Sequence, residues 1–124
     1  MGPPVGLTFV WAKIHIDRMI PTVGFDWDRG NREKCRKHGV SITVIERLFR
    51  SPLGVFPDPE HSDREERFKA IGWTEDGRAV FVVFTLREHD GETLIRPISA
   101  RYMGRKEIVY YEKEVAEAAN RRRS

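Results

Sequence analysis

The run Ala79–Leu86, "AVFVVFTL", is apolar at almost every position, so it offers no single hydrophobic face. A β-branched and aromatic run of this kind reads as a strand that is central in its sheet and covered on both sides. Turn chemistry brackets it: "EDG" stands just before, and "EHDGE" follows. Three strands are therefore predicted as a meander, from "ERFKAIGW", "RAVFVVFTLR" and "TLIRPISARY". Pro97 removes a ladder donor from the third, which marks an edge or a bulge there.

The elements around this meander set the fold class. "VGFDWD" is a short strand, with Phe25 and Trp27 on one face and Asp26 and Asp28 on the other. "DRGNREKCRKHG" is a helix capped by Asp28 or Asn31 and stopped by Gly39, with Lys34, Lys37 and His38 sharing a face. "SITVIERLFRS" is a second helix, capped by Ser41, whose apolar stripe is Val44, Ile45, Leu48 and Phe49. "PLGVFPDPEH" reads as a loop with at most one short strand, and "GRKEIVYYEKEVAEAANRRR" as the last helix. The order β-α-α-β-β-β-α gives an α+β fold, a small antiparallel sheet with two N-terminal helices and a C-terminal helix. Residues 1–18, which include the strand-like "LTFVWAKIHI", read as an extension that is either an extra strand or poorly ordered. Residues 19–124 read as a single domain.

At 124 residues, 40% hydrophobic and 33% charged, the chain is long enough and apolar enough for one globular core. One cysteine, Cys35, excludes an intramolecular disulfide and a cysteine-based zinc site, and fits a reducing compartment. No stretch approaches the roughly 20 apolar residues of a membrane span. Charge is unevenly placed. Arg29–Arg50 holds seven basic residues against two acidic, a block suited to phosphates or an acidic partner. Asp58–Arg67 reverses this, with five acidic residues against two basic. Its carboxylates are hard ligands, but their spacing matches no compact metal loop and Arg64 and Arg67 compete for them, so neither metal nor another cofactor is expected.

Five motifs occur in order over residues 24–112: "FDWD", "RKHGVS", "HSDREERFKAIGWTEDGRAVFVVFT", "IRPISAR" and "RKEIVYYE". In this order and spacing the sequence resembles the BrnT family of toxins. The resemblance implies a RelE-like α+β fold and a ribonuclease that stops translation, the toxin half of a type II toxin–antitoxin pair. It implies a cognate BrnA-like ribbon-helix-helix antitoxin, which neutralises the toxin and carries the complex to operator DNA. A cytoplasmic location and a toxin dimer within a heterotetramer belong to the same expectation.

Metal-free RNA cleavage uses the substrate's own 2′-OH as nucleophile. The protein has to supply a base, cations for the charge that builds on phosphorus, and an acid for the departing 5′-oxygen. Histidine suits proton transfer and arginine suits phosphate. The predicted catalytic residues are His61, His38, Arg67, Arg101 and Glu65. Lys37, Lys34, Arg96 and Arg105 are predicted to bind RNA phosphates. His61 and Arg67 are expected to point toward the helix that bears Lys37 and His38. Arg96 and Arg101 are five apart, so a regular strand sets them on opposite faces unless Pro97 brings a bulge. Glu65 and Arg67 share a face, and Glu66 takes the other. An apolar patch on the last helix, Ile108, Val109, Val115 and Ala118, is the expected docking surface for the antitoxin. Plainer readings exist for each residue: His38 at a helix end suits the dipole, and Glu65 with Arg67 makes a cross-strand ion pair. A non-catalytic RNA- or ribosome-binding module, or an antitoxin-dependent transcriptional co-repressor, is the alternative function.

Overall fold

A computed structural model describes residues 24–61 and 64–123. The expectations for residues 1–18 and for the start of the domain at Met19 lie outside the described residues. Among the described residues there are five strands and three helices: β1 (Gly24–Phe25), α1 (Arg29–Arg36), α2 (Ile42–Phe49), β2 (Gly54–Pro57), β3 (Arg67–Trp73), β4 (Ala79–His89), β5 (Glu92–Tyr102) and α3 (Arg105–Arg123). A single 3-10 turn, Pro59–His61, follows β2. The class is α+β, as the element pattern predicts. The strand order is β1-β5-β4-β3-β2, so the apolar run of β4 is central. Two features extend the prediction. "GVFP" forms β2 antiparallel to β3, and the two residues of β1 pair parallel with β5.

Local chemistry fixes the ends of these elements. Asp28 and Asn31 form a reciprocal capping box: the Asn31 N–H donates to Asp28 Oδ1 at 3.0 Å, and the Asp28 N–H to Asn31 Oδ1 at 2.7 Å. Gly39, at φ +85°, turns the chain out of α1 in the left-handed conformation that glycine tolerates. Ser41 caps α2 by accepting from the Val44 N–H at 3.1 Å. Asp90 and Gly91 both have positive φ, 52° and 79°, and join β4 to β5 in a two-residue turn whose twist suits a hairpin.

Helices pack on both faces of the sheet. Ile45, Leu48 and Phe49 of α2, with Cys35 of α1, pack against Ala70, Val80, Val82, Phe84, Ile95 and Ala100. Phe84 meets Phe49 edge-on at 4.9 Å and stacks on Phe68 at 5.4 Å. On the other face, Tyr111 and Ala118 of α3 pack against Phe56 and Ile71, with Phe81 alongside. Val115 joins this second cluster, whereas Val109 is 60% exposed. The predicted docking patch on the last helix is thus divided between core and surface.

Pro97 does mark a bulge. Val83 pairs with Ser99 and Phe84 with Pro97, so Ile98 is the extra residue in β5. Asn31 braces this point, because its buried Nδ2 donates to Pro97 O at 2.8 Å and to Asp26 O at 2.9 Å.

Candidate nucleic-acid interface

The bulge decides which charged residues meet. Along β4, Phe81, Val83, Thr85 and Arg87 alternate onto one face, and their partners on β5 are Arg101, Ser99, Arg96 and Leu94. Arg96 and Arg101 therefore share a face despite their odd spacing. Arg67 joins them, since it pairs with Thr85. Arg67, Arg87, Arg96 and Arg101 accordingly lie on the face of the sheet that α3 covers only at one end.

Arg101, Arg87 and Arg96 are each held by a carboxylate. Arg101 donates from Nη1 and Nη2 to Glu107 Oε1 and Oε2 at 2.7 and 2.8 Å, and its guanidinium lies 4.8 Å from the centre of the Phe81 ring. This two-pronged bond holds the Glu107 carboxyl below its ordinary range and raises the Arg101 guanidinium further. Arg87 donates to both oxygens of Glu65, at 3.0 and 3.1 Å. Arg96 donates to Asp28 at 2.8 Å and lies 3.6 Å from Asp26. The Asn31 N–H, and then the Arg96 guanidinium, hold the Asp28 carboxyl low. Lys69, in the same row as Arg67, lies 3.8 Å from buried Asp58.

The outcome for the sequence-predicted residues is mixed. Glu65 precedes β3, which begins at Arg67, and its carboxylate reaches Arg87 on the neighbouring strand. Arg67 does not point toward the helix bearing Lys37 and His38. That helix, α1, packs through Cys35 on the opposite face, with Phe84 and Ala100, and the sheet stands between. The apolar row Phe68–Ala70 attracts the helices, and burial decides which face they take. Lys34, Lys37 and His38 are exposed there, and Arg105 is exposed at the start of α3. The side chain of His61 lies outside the described residues; its backbone ends the 3-10 turn before β3. Sequence reasoning missed Arg87 and Glu107, and saw Asn31 as a cap but not as the tie to Pro97. The signals were present: Arg87 alternates with Thr85, and Glu107 stands at the third position of its helix, where a glutamate reaches back to the cap.

The apolar cluster facing α1 and α2 also explains Cys35. Burial pushes its thiol up to about 11, so it stays protonated at neutral pH and serves as a small core residue. Among the described residues no helix is long and apolar enough to cross a membrane.

An α+β domain with a row of arginines on an open sheet face fits a protein that handles nucleic-acid phosphates, and residues 27–107 match the family model described as "Ribonuclease toxin, BrnT, of type II toxin-antitoxin system". The matched span is about two-thirds of the chain, and the chain belongs to the BrnT family. It runs from Trp27 to Glu107 and so includes Arg67, Arg87, Arg96 and Arg101. A comparison with curated proteins finds no match.

Proposed function

We propose that the open sheet face is the cleavage site of a metal-independent endoribonuclease. The observation that carries this reading is the bulge at Ile98, through which Arg96 and Arg101 share a face with Arg67. RNA lies along that face with a phosphate held by Arg101 and Arg67, whose forks match phosphate oxygens. The 2′-OH attacks phosphorus, its proton passes to a base, the bond to the 5′-oxygen breaks, and an acid protonates that oxygen. The products are a 2′,3′-cyclic phosphate and a 5′-hydroxyl. His61, at the turn leading into β3, takes part in proton transfer. Glu65 fixes Arg87 beside the site, and Arg96 and Arg105 extend the positive surface. Lys34 and Lys37, with His38 after them, lie across the sheet and hold RNA flanking the cut by charge alone.

Membership in a type II toxin family supports the rest of the reading. The cleavage stops translation in the cytoplasm. A BrnA-like ribbon-helix-helix antitoxin neutralises the chain and binds operator DNA in a complex built on a toxin dimer. Exposed Val109 on α3 marks part of the surface such a partner covers.

The test is cleavage of RNA by the purified chain freed of antitoxin, with end-group analysis of the fragments. Cyclic phosphate ends that disappear in His61→Ala and Arg101→Ala support the proposal. Binding that weakens with salt, with the RNA left intact, replaces it with a non-catalytic RNA-binding module.

A further inference from the structure

Glu107 is the third residue of α3, and Gly104 is its cap. The Gly104 N–H donates to Glu107 Oε1 at 3.0 Å, which is one half of a capping box. The same carboxylate takes both prongs of the Arg101 fork. A carboxylate and a phosphate present the same pair of oxygens to guanidinium, so they compete for one seat. The two side chains are 42% and 43% exposed, open enough for a ligand to exchange in.

Resting on the reading of Arg101 as a phosphate-binding residue, we propose that Glu107 is a latch that occupies the phosphate seat of Arg101. RNA binds by displacing that carboxylate. The toxin alone is therefore held in a weakly binding state by the first turn of its own last helix. The pair is half-exposed and solvent-screened, so the hold is modest and RNA can break it. Meanwhile the Phe81 ring, 4.8 Å away, keeps the guanidinium in place after the carboxylate leaves.

The experiment uses the full chain and a single-stranded oligodeoxynucleotide, which lacks the 2′-OH and is not cut. Glu107→Gln keeps the capping group, because glutamine also serves at the third helix position, and it removes the charged competitor. Binding should tighten by about two- to fivefold. Glu112→Gln, which removes a charge from an exposed position of the same helix, should give no such gain. The gain should also vanish when Glu107→Gln is made on an Arg101→Ala background. Equal or weaker binding by Glu107→Gln, or a gain that persists without Arg101, overturns the proposal. A second measurement needs no variant. The side-chain N–H signals of Arg101 in the unmodified chain should shift as the oligonucleotide is titrated in, and unmoved signals also overturn the latch. Cleavage by Arg101→Ala at the unmodified rate would instead remove Arg101 from the reaction, a failure of the functional reading that these binding data do not share.

Discussion

Arg96 and Arg101, five residues apart on β5, face the same side of the sheet because Ile98 is an extra residue opposite the Val83–Phe84 step. Deleting Ile98 would make the strand regular and turn residues 92–97 over, exposing Ile95, which is now 1% exposed. The deletion should cost at least about 3 kcal/mol in urea unfolding, from side chains turned out of the core. Ile98→Ala keeps the residue count and should cost only about 1–2 kcal/mol.

Asn31 ties α1 to that bulge. Its Nδ2 group supplies both Asp26 O and Pro97 O, and no apolar residue can replace it. Asn31→Ala should destabilise the fold by about 2–3 kcal/mol, from the loss of its buried bond to Pro97 O, its part-buried bond to Asp26 O and its half of the capping box. Asn31→Asp should cost at least as much, since it aims a carboxylate oxygen at two carbonyls. Denaturant titration of the two variants orders them.

Two carboxyls that bond arginines of the row, Asp28 with Arg96 and Glu107 with Arg101, titrate below their ordinary values of 3.8 and 4.5 when folded. A depressed folded value means the folded state favours the charged form. The stability this gives is present above the ordinary values and is lost as pH falls through them toward the lower folded ones. Thermal unfolding midpoints should therefore drop below about pH 4. In Glu107→Gln the drop should be shallower, and a curve identical to the unmodified chain would exclude Glu107 as a contributor.

The arginines and lysines should separate in kinetics. Arg101→Ala should lower kcat by about a hundredfold or more, as for loss of one donor to transition-state charge. Lys34→Ala with Lys37→Ala should raise KM, leave kcat unchanged, and reduce the slope of log affinity against log salt by about 1.4. A fall in kcat for the lysine pair would bring α1 into the reacting site.

Cys35 offers a check on the core. Its buried thiol, at about 11, should resist alkylation at neutral pH until the chain unfolds. Labelling rates that track denaturant would confirm it, and fast labelling of the native chain would not fit a closed core between α1, α2 and the sheet.

Much of this protein is written in local sequence. The apolar run of β4 made it central, Asp28, Asn31 and Ser41 announced their helices, and Asp90–Gly91 announced its turn, because capping, periodicity and turn conformation act over a few residues. Five motifs in order pointed to the family. What counting along the chain could not decide was which face of the sheet the helices would cover. That depended on the summed burial of Phe68, Ala70, Val82 and Phe84 against α2, and it left Arg67 across the sheet from Lys37 and His38. Pro97 hinted at irregularity, but only the pairing of Val83 with Ser99 showed that one inserted residue brings Arg96 and Arg101 together. The partners of the arginines were likewise tertiary. Glu65 meets Arg87 and Asp28 meets Arg96 over 22 and 68 residues of chain, distances at which no local rule operates.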